Sequence, residues 1–225
     1  DFGNGRNANP FFSRRIGIAE DTLGSLIENK IIAGARLSGK LNKNLRIGVL
    51  NIQTAEDQAN EIPTNNNSVI ALQQKVFSRS NIGFIFVNRQ VTKTEDFIED
   101  AEEYNRVVGL DFNLQSEDNK WNGRYYLHKS FAPEAGDKDF SSGGFLEYNV
   151  RNWKYGLGST YVGADFQADL GFVTRNDILN IDPVASRTFY PVNSKINTHS
   201  IEVRGSSTWS PGLDFLYTDG MVDFE

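Results

Sequence analysis

Asp165 and Asp169, in the run Ala164-Asp165-Phe166-Gln167-Ala168-Asp169, are the closest this sequence comes to a pair of catalytic carboxylates. Glycoside hydrolysis needs two carboxyl groups about 5–9.5 Å apart, one to protonate the leaving oxygen and one to act as nucleophile or base. Four positions apart in an irregular stretch, the two can meet that spacing, which supports a glycan-directed hydrolase as one functional alternative. The competing reading has them closing turns or pairing with a neighbouring cation such as Arg175. A second acidic group, Glu95, Asp96, Glu99, Asp100, Glu102 and Glu103, offers the hard oxygen ligands that Ca²⁺ takes. It lacks the fixed Asp-x-Asp-x-Asp-Gly spacing of a helix–loop–helix calcium site and reads as a solvated loop, so no metal is predicted.

The remaining chemistry is narrow. There is no Cys, which excludes a disulfide, a thiolate metal site and a cysteine nucleophile. The two histidines, His128 and His199, are too few for a histidine-rich metal site. Neither has a Ser or carboxylate at a spacing that suggests a triad. Gly156-Leu157-Gly158 lies inside a strand pattern without the strand–turn–helix context of a dinucleotide site. There it serves curvature or close packing, and no cofactor is called for. The largest polar set is Arg36, Lys40, Arg46, Lys75, Arg89, Asp111, Asn113, Arg124, His128 and Glu147, all at the polar positions of alternating segments. Such residues either line a lumen and bias which solutes enter, or pair across strands and fill a closed interior.

Strands must hold that set in place. Val108, Leu110, Phe112 and Leu114 alternate with Gly109, Asp111, Asn113 and Gln115. After the turn at 116–120, Trp121, Gly123, Tyr125 and Leu127 alternate with Asn122, Arg124, Tyr126 and His128. Period-two alternation puts one apolar and one polar face on a hairpin. Four further hairpins are predicted: 31–41 with 45–53, 68–77 with 82–90, 140–150 with 153–163, and 198–209 with 213–217. The stretch 1–30 reads as a leading loop, with 22–30 open between a short helix and a loop. Residues 164–197 read as irregular, and 218–225 as the start of a further segment. The arms are longer than the usual strand of about five or six residues, and a strand crosses a bilayer in about 9–11.

Short turns (42–44, 78–81, 116–120, 151–152 and 210–212) then alternate with long connections, as outer-membrane barrels sort short periplasmic turns from long outer loops. Tyr104, Trp121, Trp153, Tyr161 and Trp209 fall near strand ends, where an interfacial aromatic girdle belongs. The fold class expected is therefore all-β: antiparallel up-and-down hairpins of a transmembrane, outer-membrane β-barrel, about ten strands, with residues 1–225 forming part of one domain. Alternation alone leaves open whether the apolar face looks out to lipid or in to a dry core, as in a soluble β-sandwich or lipocalin-like barrel.

Totals bound the partners. Acidic residues outnumber basic ones 29 to 23, a net charge of −6 without a basic block, so nucleic acid is not an expected partner. No window approaches the ~20 apolar residues of a membrane helix. The chain opens on polar residues rather than the basic-then-apolar start of a signal peptide, and reads as a piece of something longer.

Several motifs, in order, resemble a known family. They are Asn9-Pro10-Phe11-Phe12-Ser13-Arg14-Arg15-Ile16-Gly17, Ala33-Gly34-Ala35-Arg36-Leu37-Ser38-Gly39-Lys40, Ile47-Gly48-Val49-Leu50-Asn51, Asn81-Ile82-Gly83-Phe84-Ile85-Phe86-Val87-Asn88-Arg89 and Asp165-Phe166-Gln167-Ala168-Asp169-Leu170-Gly171-Phe172. The series resembles the large β-rich domain of unknown function that follows a family-nine-type carbohydrate-binding module in Gram-negative proteins, notably of the Bacteroidota, sometimes labelled hydrolases. The resemblance implies an outer-membrane barrel with a carbohydrate connection and carries no catalytic residues. The expected function is a non-enzymatic outer-membrane segment acting in surface binding, transport or assembly. Its expected partners are the lipid bilayer, a glycan ligand and other envelope proteins. The alternatives are the hydrolase above and a soluble β-sandwich glycan-binding module.

Overall fold

In the computed structural model, which describes residues 8–93, 96, 103–133, 135–192 and 197–224, nearly all regular structure is β. Three short strands, β1 (Ala8–Asn9), β2 (Ile18–Glu20) and β3 (Leu26–Glu28), precede β4 (Ile31–Lys40), β5 (Leu45–Thr54), β6 (Asn65–Val76) and β7 (Ser80–Val91). β8 (Tyr104–Gln115), β9 (Trp121–Phe131), β10 (Phe140–Val150) and β11 (Trp153–Val162) follow, then a two-residue β12 (Phe172–Val173). β13 (Ile178–Phe189), β14 (His199–Trp209) and β15 (Phe215–Phe224) complete the order.

All but β1, β2, β3 and β12 form one antiparallel 11-stranded sheet in which each strand pairs with its chain neighbours. β4 and β15 are its two edges, so among the described residues it is open rather than closed on itself. The stretch at 22–30 is neither helix nor plain loop. β2 and β3 make a hairpin there, turned by Asp21, whose carboxylate accepts from the Leu23 and Ser25 amides, with Gly24 at φ +78°. Turn chemistry elsewhere follows the sequence: the Asn42 side-chain oxygen accepts from the Asn44 and Leu45 amides between β4 and β5.

One strand changes the map. β13 lies inside the stretch expected to be irregular, so the sheet has 11 strands rather than about ten. Pro183 hides it, because a proline in mid-strand cannot donate to a ladder. The β13–β14 register lapses there, running from Ile181 with Ser207 to Val184 with Arg204. Gly205 stands against the ring, its would-be Cβ 3.5 Å from Pro183 Cγ. An extra strand reverses the direction of everything after it. The connections 41–44, 77–79, 116–120 and 151–152 and the C-terminal end of β13 therefore share one rim of the sheet. The turn 210–212, expected beside the other short turns, sits instead on the opposite rim with 55–64, 163–177 and the C-terminal ends of β7 and β9. β15 also runs on through position 218 to Phe224, so 218–224 continues the sheet and begins no new segment.

Among the described residues the core lies on one face of the sheet. Val69, Ile85, Val87, Val107, Val162 and Ile178 project from the face that also carries the polar rows. They pack against Ala8, Ile16, Phe166, Ala168 and Leu170, which come from the leading segment and from the connection between β11 and β12. These two covering stretches are joined by the β1–β12 pairing and by the Phe12 amide donating to the Leu170 carbonyl. Gly171 lets them meet, since a Cβ there would collide with the Asn9 carbonyl. The covered side is called the inner face below. On the outer face the apolar rows remain uncovered: Leu110 is 53% exposed and Leu157 55%, against 1% for Val87 and 0% for Val107. Phe166 is the largest fully buried side chain, and truncating a buried Phe to Ala costs about 3–5 kcal/mol. The Phe166→Ala protein is expected to lose that much resistance to denaturant, and an unfolding midpoint equal to wild type would show that the covering stretch does not dock.

Candidate functional site: a polar inner wall clasping an inserted segment

The inner wall is built by parity. Cross-strand partners share a face, and the register links Arg89 to Asn67 and Asn105, Asp111 to Gly83 and Tyr126, and His128 to Gly109 and Ser141. Followed across the sheet, it places Arg36, Lys40, Arg46, Lys75, Arg89, Asp111, Asn113, Arg124, His128 and Glu147 on this one side. The wall has three zones.

The central zone holds the inserted segment by its backbone. Arg89 Nε donates to Asp169 Oδ2 at 2.7 Å, and Arg89 Nη1 to the Asn65 side-chain oxygen at 3.2 Å. Asn105 is bidentate: its Nδ2 donates to the Gln167 carbonyl at 3.4 Å and its Oδ1 accepts from the Asp169 amide at 3.2 Å. The buried Ser130 hydroxyl accepts from the Gln167 amide. A turn-rich segment laid against a sheet face joins no ladder, so its amides need side-chain partners, and polar inner-face residues supply them. Asp165 is held elsewhere, by the Lys138 amide at 3.1 Å. The two carboxylates considered for hydrolysis thus each have their own partner, and the cation that meets Asp169 is Arg89 rather than Arg175.

A second zone lies on β8 to β11. Asp111 is buried, with Arg124 Nη2 at 3.8 Å. Tyr126 stacks on His128, ring centres 4.7 Å apart. Ser141 and Thr160 stand beside the Tyr126 hydroxyl without a well-directed hydrogen bond, and neither His128 nitrogen has a partner among the described residues. Gly109 faces the imidazole because a Cβ would fall 2.5 Å from His128 Cδ2. Farther along, Asn180 donates to the hydroxyls of Ser206 and Thr208.

The third zone, on β4 to β6, is cationic. Arg36, Lys40 and Arg46 line a cavity of about 1020 Å³ that Phe11, Phe12 and Ile16 of the leading segment bound on the other side. A smaller cavity of about 350 Å³ reaches Arg89 and Asp169 from between β3 and the loop at 61–63. Of the acidic run at 95–103, only Asp96 and Glu103 lie within the described residues. Asn65, Asn105, Ser130 and Tyr126 were not singled out from the sequence, although Asn105 extends the same alternation by two inner positions and Ser130 by one.

The outer face is ordered too. Rows of Ile47, Leu72, Phe84, Leu110 and Leu127 are succeeded, toward the long-loop rim, by Asn51, Ser68, Asn88 and Arg106. Those polar residues bond one another, as in Asn51 Nδ2 to Ser68 at 2.7 Å and Arg106 Nε to Asn88 at 3.1 Å. All five strand-end aromatics, Tyr104, Trp121, Trp153, Tyr161 and Trp209, fall on this face.

Residues 6–211 match the family described as Domain of unknown function (DUF5916). The chain belongs to that family. All five motif stretches quoted above lie within the matched DUF5916 residues, and two of them, 9–17 and 165–172, are the stretches that β1 and β12 bring together. No curated protein and no solved structure matches this DUF5916 chain.

Two measurements probe these contacts. A double-mutant cycle on Arg89→Gln and Asp169→Asn is expected to return a coupling of about 0.5–3 kcal/mol, and additive single effects would show that the pair does not clasp the segment. In the rim turn, Lys120 holds the Asp118 carboxyl down at about 2, with help from the Ser116 hydroxyl and the Lys120 amide. The folded group thus titrates below its unfolded value of 3.8, so its stabilising contacts are complete above that pH and lost as pH falls toward 2. An Asp118 carboxyl NMR titration with its midpoint at the ordinary Asp value would refute the turn geometry.

Proposed function

We propose that this chain forms wall and inserted segment of a β-barrel in a Gram-negative outer membrane, acting in binding or passage of a solute rather than in catalysis. One observation carries the reading: the sheet's leucine and aromatic rows lie on its uncovered side, while its charged rows share the covered side with the buried valines. A soluble sandwich buries its apolar rows, because leaving that much apolar area in water forgoes about 25 cal/mol per Å². Lipid reverses the requirement, and alternation with apolar residues outward is what membrane barrels use. Trp153 and Tyr161 stand eight positions apart on the outer face of β11, about 26 Å along the strand at ~3.3 Å per residue, or ~20 Å of height at the tilt of about 40° that barrel strands take. The Asn51–Ser68–Asn88–Arg106 row then marks where the apolar band ends and polar surface begins.

For the solute, support comes from the cavity lined by Arg36, Lys40 and Arg46, which have no ion pair among the described residues and favour an anionic guest. The motif resemblance adds that a glycan is a reasonable source of one. Asp165 and Asp169, engaged by Lys138 and Arg89, give the hydrolase reading no comparable support. The full-length protein is expected to stay with membranes through a carbonate wash; release as a monodisperse species without detergent would overturn the proposal. Within it, Leu110→Arg is expected to cost about 2–4 kcal/mol in refolding into bilayers, as a cation does at mid-membrane on a barrel's lipid face. A neutral effect there would count against a lipid-facing outer side.

A further inference from the structure

The outer face is not uniformly filled. On β9 and β10, Gly123 and Gly144 leave bare backbone, and neither can be replaced without conflict: a Cβ on Gly123 would fall 2.8 Å from the Phe145 carbonyl oxygen, and one on Gly144 would strike the Arg124 carbonyl. Around this floor stand Trp121, Tyr125, Leu146, Tyr148, Tyr155 and Leu157, enclosing a slot of about 630 Å³. The walls are exposed, Tyr125 by 55% and Tyr155 by 46%, so the slot opens away from the sheet rather than into the core. Trp121 leans on Tyr148 at 4.8 Å between ring centres, on the side toward the short-turn rim.

Two guanidinium groups lie beyond the slot's wall residue Tyr155. Tyr155 stacks on Trp153 with rings 5.5 Å apart and 8° from parallel. Arg187, cross-strand partner of Trp153, lies over that ring at 5.0 Å and over Phe189 at 4.7 Å. Arg151, in the turn beyond, sits over Tyr190 at 5.3 Å. Neither arginine has a carboxylate partner among the described residues. Aromatic-stacked cations at the edge of an apolar band are placed for a phosphate, whose oxygens a guanidinium receives in bidentate fashion.

From this juxtaposition we infer that the slot is a binding site for one anionic phospholipid, an acyl chain lying over Gly123 and Gly144 and the phosphate at Arg187 and Arg151. The inference rests on the lipid-facing reading of the outer side and goes beyond it, since surrounding lipid needs no slot and no paired cations. A sugar ring stacked on the aromatics would leave its hydroxyls among apolar walls, and an apolar helix of a partner would leave the arginines without an anion.

The test uses the full-length protein extracted from membranes in a mild detergent, stripped of lipid and titrated with dipalmitoyl phosphatidylglycerol or dipalmitoyl phosphatidylcholine, with bound lipid counted by native mass spectrometry. The wild type is expected to retain one phosphatidylglycerol in preference to phosphatidylcholine. Arg187→Gln is expected to lower that retention about fivefold, the scale of one basic residue at a lipid surface. Leu157→Trp, which fills the slot, is expected to abolish it, while Leu110→Trp on the same face outside the slot leaves it intact. Equal retention by wild type, Arg187→Gln and Leu157→Trp, all still resisting a carbonate wash, overturns the slot and leaves the barrel proposal standing. So does a co-purifying protein that occupies the face while no lipid is held. Release of the wild type from membranes without detergent overturns both. Should Leu157→Trp fail to reach the membrane, the Arg187→Gln arm and the lipid preference of the wild type decide by themselves.

Discussion

Backbone amides laid across a sheet rather than along it must find partners that are not strands. In this protein the stretch around Gln167 and Asp169 is in that position, and Asn105, Ser130 and Arg89 answer it from the sheet. Only polar side chains can do so, and an apolar wall would strand those amides at a cost of about 1–3 kcal/mol each. That requirement, together with the burial of Phe166, Ala168 and Leu170 on Val87 and Val107, selects which side of the sheet is covered. It turns the polar rows inward, buries His128, Ser141 and Asp111 among them, and leaves the leucine, phenylalanine and tyrosine rows uncovered by any of the described residues.

The clasp is an apolar and polar composite. Phe166, Ala168 and Leu170 fill space against Val87 and Val107, which supplies the burial, while Asn105 and Arg89 supply the register. Neither half would place the segment alone: apolar contacts are non-directional, and the hydrogen bonds without the surrounding apolar groups would compete with water. The β1–β12 pairing carries the constraint back to the leading segment, so that Phe11 and Phe12 come to bound the cationic cavity on β4 to β6. Local sequence, packing and the shape of the interior are thus linked through one inserted stretch.

Strand boundaries and face assignments were largely legible in the sequence. The alternation of Val108–Leu114 against Gly109–Gln115 and its counterparts assigned each side chain to a side, and all ten inner-wall residues named from that alternation share one face. β13 was not legible, because Pro183 interrupts the pattern that marks a strand and the partners that make it one, on β11 and β14, lie outside its own stretch. Missing it also misplaced the turn at 210–212, since an odd strand inverts the order of the rims. The partners of Asp165 and Asp169 were out of reach for a related reason: Lys138 and Arg89 lie 27 and 80 residues away in the chain.

What the amino-acid sequence determined by itself was the two-faced strand, because a period of two follows from backbone geometry and needs no distant partner. Which face is inside was decided only in three dimensions, by the docking of a segment with no strand signal of its own onto residues far from it in the chain. Local periodicity defines sides, but a side becomes an interior only when something covers it.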